Sequence, residues 1–215
     1  MKKEHAIHVK CCGREWMLKR PADLESLWQR MTEKDFTQDE RLPYWADLWP
    51  ASILLGRWLT ENISKLKGNR CIDLGCGLGL TSAIASSCGA QVIAVDYEWP
   101  AVFSAKRSMG LNGVDFFPVQ MDWRTPAFKP HSVSYVLGSD ILYEERFVEP
   151  VAQFLEHVLL PDGAAIISEP ARSPSRYSWK KLCEIGFEVI LLAKEKIDWN
   201  GHPVTIYVRA VRKQK

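Results

Sequence analysis

The sequence predicts an α/β fold, a doubly wound and mostly parallel sheet that closes with an antiparallel hairpin and is preceded by a smaller N-terminal β-hairpin and helix. Three observations predict it. Beyond Gly68, short apolar runs alternate with helical segments of a dozen or so residues, the signature of βαβ units with helices on both faces of a parallel sheet. At the far end, Phe187 to Ile197 and Val204 to Val211 are strand-like runs joined by Asp198 to Pro203. That joint contains Asn200-Gly201, a tight-turn signal. With 215 residues, 47% apolar and 25% charged, the chain has the size and balance of one domain able to bury a sizeable core. Residues 1–43 read as a hairpin and helix decoration and 44–215 as the core.

Taken in order, Ile7, Val9 and Cys11 alternate, Gly13 allows a turn, and Trp16 and Leu18 return, giving a hairpin over 6–19. Leu24, Leu27, Trp28 and Met31 recur at helical spacing behind Pro21. Residues 33–43 are charged and irregular, a linker or a lid. From Pro50 a second helix carries Leu54, Leu55, Trp58, Leu59, Ile63 and Leu66 on one face and closes at Gly68. The strands expected next are Arg70 to Asp73, Gln91 to Asp96, Phe116 to Gln120, Val133 to Ser139 and Ala164 to Ser168, with helices between. With the C-terminal hairpin they make seven.

Composition excludes several functions. Lys plus Arg number 28 against 26 Asp plus Glu, so there is no overall positive field of the kind nucleic-acid binders use. No apolar run reaches the roughly 18–20 residues needed to span a bilayer, and charges interrupt any leader-like N-terminus. Six cysteines contain no Cys-x-x-Cys pair and are not grouped with the histidines, so no metal site is expected. The expectation is a cytoplasmic protein with reduced, mostly buried thiols. The oddity is tryptophan, whose nine copies outnumber the eight Phe and six Tyr.

Cys71-Ile-Asp-Leu-Gly-Cys-Gly-Leu-Gly79 falls at a strand-to-helix junction, where glycines let the backbone turn tightly and approach a ligand. A dinucleotide G-x-G-x-x-G would need a third glycine where Leu80 or Ser82 stands. The pattern present is D-x-G-x-G-x-G, led by Asp73. An acid there is unwelcome beside a pyrophosphate and useful beside a cationic amino group. Asp96, closing the next strand, can accept both hydroxyls of a ribose. A ligand with a ribose, an amino-acid end and no phosphate is S-adenosylmethionine.

Asp73 to Gly79 with Asp96 resembles motifs I and II of the class I, seven-β-strand methyltransferases, which are Rossmann-like and end in an antiparallel hairpin. Leu48-Trp49-Pro50-Ala51-Ser52 resembles the tryptophan-headed helix preceding motif I in one branch. Asp122-Trp123 resembles that branch's adenine-side site. Gly138-Ser-Asp-Ile-Leu-Tyr-Glu-Glu-Arg-Phe-Val-Glu-Pro150 is similar to the D-x-x-Y segment of methyltransferase-like protein-lysine methyltransferases. The resemblance spans about residues 44–170 and implies a cofactor set of Trp49, Asp73, Gly75, Gly77, Gly79, Asp96, Tyr97, Asp122, Trp123 and Ser139. It implies Asp140 and Tyr143 as catalytic residues and a protein lysine as acceptor. The base-methylating [ND]-P-P-[YF] pattern is replaced by Ser139-Asp140-Ile141-Leu142, which argues against a nucleobase. A small-molecule amine acceptor and a non-catalytic cofactor-binding partner protein stay open as alternatives.

Asp140 and Tyr143, three apart at the carboxyl end of strand four, would set a carboxylate and a phenol beside the incoming amine. Asp140 would orient the ammonium and take its proton, and Tyr143 would aim the amine by hydrogen bond and present its ring to the cationic methyl. The alternative is that Asp140 caps a turn and Tyr143 packs. Trp49 and Trp123 are expected at the cofactor, Trp16, Trp28 and Trp58 in packing, and the C-terminal Arg209, Arg212, Lys213 and Lys215 in a solvated tail.

Overall fold

A computed structural model describes residues 5–22, 24–29 and 42–214. Strands β1 (His5–Cys11) and β2 (Arg14–Arg20) form a two-stranded sheet, followed by α1 (Leu24–Trp28), a 3-10 turn at Pro43–Ala46, α2 (Pro50–Glu61) and α3 (Ile63–Leu66). The core then runs β3 (Arg70–Leu74), α4 (Leu80–Ser87), β4 (Gln91–Asp96), α5 (Trp99–Asn112), β5 (Phe117–Gln120), β6 (Val133–Ser139), α6 (Val148–Val158), β7 (Leu159–Pro170), α7 (Ser173–Glu184), β8 (Phe187–Trp199) and β9 (His202–Lys213). The main sheet has the order β5-β4-β3-β6-β7-β9-β8. β3 to β7 pair in parallel, and β9 inserts antiparallel between β7 and β8.

The two-residue period of each strand sends side chains into two cores. Cys71, Ala94, Leu137, Ala164 and Ile166 pack with α2 and α4 on one face. Ile72, Leu74, Val136, Ala165 and Ile167 pack with α6 and α7 on the other. Because both faces are covered, the strands read as continuous apolar runs. Among the described residues no helix is long and apolar enough to cross a membrane.

Several expected boundaries move. The strand expected at Ala164 to Ser168 extends over Leu159–Pro170, and the C-terminal hairpin is longer, because β9 can pair along both of its edges. The helix expected from Pro50 to Leu66 breaks at Asn62, whose side-chain amide donates to the Trp58 carbonyl at 2.8 Å. That bond competes with the helical ladder. Ile63, placed on the buried face by periodicity, is consequently 45% exposed. Met31 and residues 33–41 lie outside the described residues.

The N-terminal hairpin is tied into the core. Buried Asn112, at the end of α5, accepts the Met17 N–H at 2.9 Å and donates to the Met17 carbonyl at 2.8 Å, while the Ser108 hydroxyl accepts the Lys19 N–H at 2.9 Å. An α-helix side chain thus completes the outer edge of β2. Trp16, 1% exposed, donates its indole N–H to the Cys11 carbonyl across the hairpin. Asn112→Ala leaves the Met17 N–H and carbonyl without their side-chain partner and is expected to cost about 1–3 kcal/mol, read as a lower urea midpoint with an unchanged slope.

Candidate functional site

The carboxyl ends of β3, β4 and β6 open into a cavity of about 460 Å³, the size class of a small-molecule site. Its floor is the loop after β3. Gly75, Gly77 and Gly79 all have positive φ, between 52° and 87°. A Cβ on Gly77 would lie 3.3 Å from the Trp45 carbonyl oxygen, so the left-handed turn and the close passage of the Trp45 backbone both require glycine. Asp96 holds this loop: its Oδ2 accepts the Gly77 N–H and its Oδ1 the Glu98 N–H, each at 2.9 Å. Burial raises the Asp96 carboxyl to about 6, against the pull of these N–H donors.

Gly75, Gly77 and Asp96 line the cavity as expected, but Asp73 and Gly79 do not. Asp73 is 1% exposed and accepts the Ser82 hydroxyl at 2.5 Å in the first turn of α4, so this acid anchors the helix start rather than facing a ligand's amino group. Its carboxyl is raised to about 7, chiefly by burial. Gly79 serves packing: a Cβ there would fall 3.0 Å from the Ala105 Cβ of α5. An acid leading a glycine loop is the same sequence whether its side chain points up to the ligand or down under the helix.

The remaining expected residues line the same cavity: Trp49, Tyr97, Asp122, Trp123, Ser139, Asp140 and Tyr143. Asp122 is also held by Arg124, whose Nε approaches Asp122 Oδ2 at 2.8 Å. Trp49 donates its indole N–H to the Tyr44 carbonyl at 2.8 Å, which sets the entry into α2. Trp99, 57% exposed at the start of α5, is not part of the wall. Among the described residues no group of three or more His, Cys, Asp or Glu could hold a metal ion.

Asp140 follows β6 in a left-handed conformation, φ 58°, unusual for a residue other than glycine. Such strain costs about 1–3 kcal/mol and persists only where its surroundings over-determine it. Here the Asp140 N–H donates to the Ser168 carbonyl at 2.8 Å and the Leu142 N–H donates to Glu169 Oε1 at 2.7 Å. The Asp140 carboxylate forms an ion pair with Arg172. Tyr143 stands edge-to-face between Tyr44 and Phe147, at centroid distances of 5.7 and 5.0 Å, and Phe147 continues to Trp123 at 5.4 Å. Burial pushes the Tyr143 phenol up, so it stays protonated and able to donate.

Sequence reasoning missed Tyr44, Phe147, Glu169 and Arg172. Tyr44 opens the stretch read as the core, directly after the segment read as a lid, and Phe147 follows Tyr143 by four residues, a helical spacing that was available as a signal. Glu169 and Arg172 come from a different strand end and carry no local pattern. Arg209, expected in a solvated tail, instead lies in β9 with its guanidinium 4.7 Å from the Trp179 ring and 4.4 Å from the Tyr207 ring. Alternation along β9 turns it inward, and Trp179, given no role by the sequence, is the buried surface it covers.

A glycine loop under a cavity at the strand ends, an acid closing the second strand and this sheet order define the class I, S-adenosylmethionine-dependent methyltransferases. Within that class the chain belongs to the lysine methyltransferase family, whose sequence model matches residues 32–182. It is 29% identical over 133 residues to the electron transfer flavoprotein beta subunit lysine methyltransferase of Danio rerio, covering 61% of this chain and 51% of that protein. It is 29% identical over 136 residues to protein N-lysine methyltransferase METTL21A of Danio rerio, covering 60% and 62%. The matched region thus spans about half to three-fifths of these relatives. A 16S rRNA N2 G1207 methyltransferase from T. thermophilus, solved with AdoMet and guanosine, superposes with a TM-score of 0.64 at 16% identity, covering 99% of this chain and 51% of that one, which is a likeness of fold.

Asp73 links the site to stability. Its folded carboxyl at about 7 lies above the ordinary 3.8, so the folded state holds the proton more tightly. Its contribution is therefore fully present below pH 4 and is lost as pH rises through 7. Asp73→Asn keeps an acceptor for Ser82 and is expected to flatten the fall in unfolding free energy between pH 5 and 7.5 by on the order of 1 kcal/mol, measured by urea titration across that range.

Proposed function

We propose that this chain transfers a methyl group from S-adenosylmethionine to a lysine side chain of a protein substrate. The observation that carries the reading is that Asp140 and Tyr143 line the same cavity as the glycine loop and Asp96. Family membership supports lysine as the acceptor, and the protein substrate follows from the names of the relatives.

The residues present fit S-adenosylmethionine. The Asp96 oxygens, each occupied by one N–H, retain lone pairs for ribose hydroxyls. The Gly75–Gly77 backbone offers a surface without Cβ atoms, and Trp49, Tyr97 and Trp123 supply flat apolar walls. When bound, S-adenosylmethionine supplies an electrophilic methyl: the amine lone pair forms the C–N bond as the C–S bond breaks, leaving a neutral thioether and a methylated ammonium that later sheds a proton.

The chain's own residues prepare the nucleophile. An ordinary lysine amine is neutral in roughly one molecule in a few thousand at pH 7, so the site must accept it without its proton and hold the lone pair on line. Asp140 accepts an N–H from the amine. Tyr143, a protonated phenol in an aromatic collar with Tyr44 and Phe147, orients the nitrogen and faces the charge that develops on it.

Incubation with methyl-labelled S-adenosylmethionine and a cell lysate is expected to label a protein band, with the label recovered in methylated lysine after hydrolysis. Label confined to RNA or to small molecules refutes the reading. Asp140→Asn and Tyr143→Phe are each expected to lower kcat at least tenfold with little change in cofactor affinity; unchanged turnover in both removes the catalytic assignment. Because Asp96 titrates at about 6 and binds ribose as the carboxylate, cofactor affinity by calorimetry is expected to weaken about tenfold from pH 7 to pH 5. Asp96→Asn should bind more weakly and lose that dependence.

A further inference from the structure

Arg172 is the group in contact with Asp140 that the reading above leaves without a role. It stands at the N-cap of α7, just beyond β7, and its guanidinium meets Asp140 Oδ1. The two side chains differ in exposure, 34% for Arg172 and 6% for Asp140. Asp140 lines the cavity and Arg172 does not, so the guanidinium approaches the carboxylate from behind and leaves the cavity side to the acceptor.

The neighbouring titratable groups leave this pair to itself. Arg172 also faces Glu169, at 3.4 Å, but Glu169 is wholly buried, its carboxyl is raised to about 8 by that burial, and the Arg209 charge opposes the rise. Glu169 is therefore mostly protonated near neutral pH, which leaves Asp140 as the carboxylate that pairs with Arg172. Among the described residues Tyr44 also faces Arg172. Around Tyr143 stand Glu144, Arg146, Asp96 and Tyr44, and Glu144 is itself paired with Arg146 at 2.7 Å.

A lone buried carboxylate would be a poor partner for a methyl acceptor. It would bind the lysine as ammonium and strengthen its hold on the proton that must leave before the lone pair can attack. A carboxylate already balanced by a guanidinium keeps its geometry as a hydrogen-bond acceptor and loses most of that effect. We propose, on the reading that Asp140 receives the acceptor amine, that Arg172 is a positioning residue that balances the Asp140 charge, so that the site binds lysine as the neutral amine. The strained backbone of Asp140 belongs to the same device, because the left-handed turn and its bond to Ser168 hold the residue between guanidinium and cavity.

The test uses Arg172→Gln, which keeps a hydrogen-bond donor without charge, and Arg172→Lys, which keeps the charge. The substrate is the lysate protein that takes up label in the experiment above, purified unmethylated and used at saturation, with kcat followed from pH 6.5 to 10. The rising limb of kcat against pH reports the acceptor's proton in the complex. With Arg172→Gln it is expected to move to higher pH by about 1 to 2. At pH 7.5 kcat should fall about tenfold or more and largely recover near pH 9.5, with KM unchanged or lower. Cofactor affinity by calorimetry should stay within about twofold. Arg172→Lys should restore the limb, and Glu169→Gln should leave it in place, since it belongs to the amine.

A limb that stays put in Arg172→Gln, an equal loss of kcat at every pH, or a limb that vanishes in Glu169→Gln overturns the proposal. Asp140→Asn separates the two levels. Wild-type turnover in that variant refutes the underlying reading of Asp140, whereas an inactive Asp140→Asn beside an unshifted Arg172→Gln refutes the role of Arg172 alone.

Discussion

The grip of Asp96 on the Gly77 N–H is the constraint on which the site depends. It ties the loop after β3 to the end of β4, and the Cys76 N–H adds a second tie to the Val95 carbonyl at 2.9 Å. A glycine loop has little side-chain packing to hold it, and its conformational freedom in the unfolded chain is large. Without these cross-strand bonds the left-handed turns of Gly75 and Gly77 would have no reason to persist. The cost is two buried carboxyls, Asp96 and Asp73, each raised chiefly by that burial. Each is offset by backbone or hydroxyl donors rather than by a lysine or arginine, which keeps the cavity floor free of bulky cations.

The second strained element, Asp140, is held in a different way. Its turn is fixed by backbone bonds to β7 and by a network of two acids and two arginines behind it. Parallel pairing of β6 with β7, with Ser139 opposite Ser168, brings these groups together. Insertion of β9 beside β7 then brings Arg209 under the same network. The antiparallel end of the sheet thus sets a cation beside the buried Glu169, behind a site whose visible walls come from the parallel strands.

The tryptophan excess resolves into distinct tasks. Trp45, Trp49 and Trp123 line the cavity, and Trp28 stacks edge-on against Tyr44 at 6.0 Å. Trp16, Trp58 and Trp179 are buried, and Trp199 packs against the first core. Leu18 and Leu42, from the stretch read as decoration, line the cavity beside Tyr44 and Trp45, and α5 anchors the hairpin through Asn112 and Ser108. Residues that read as decoration along the chain are part of the site's enclosure.

By itself the sequence determined the layers, the succession of strands and helices along the chain and the ligand-facing ends of three strands. Period-two apolar runs, glycine at strand-to-helix junctions and Asn200-Gly201 act within a few residues, so they are legible locally. Gly75, Gly77, Asp96, Asp140 and Tyr143 were legible as strand-end residues for that reason, and all five line the cavity. Tertiary structure decided which way Asp73 points, that Gly79 answers to Ala105, that Arg209 is turned inward, and that Arg172 meets Asp140. Those outcomes depend on the register between strands distant in sequence and on which buried charges must be balanced. No local pattern encodes either, because the energy of a buried charge is set by the neighbours that the whole fold assembles around it.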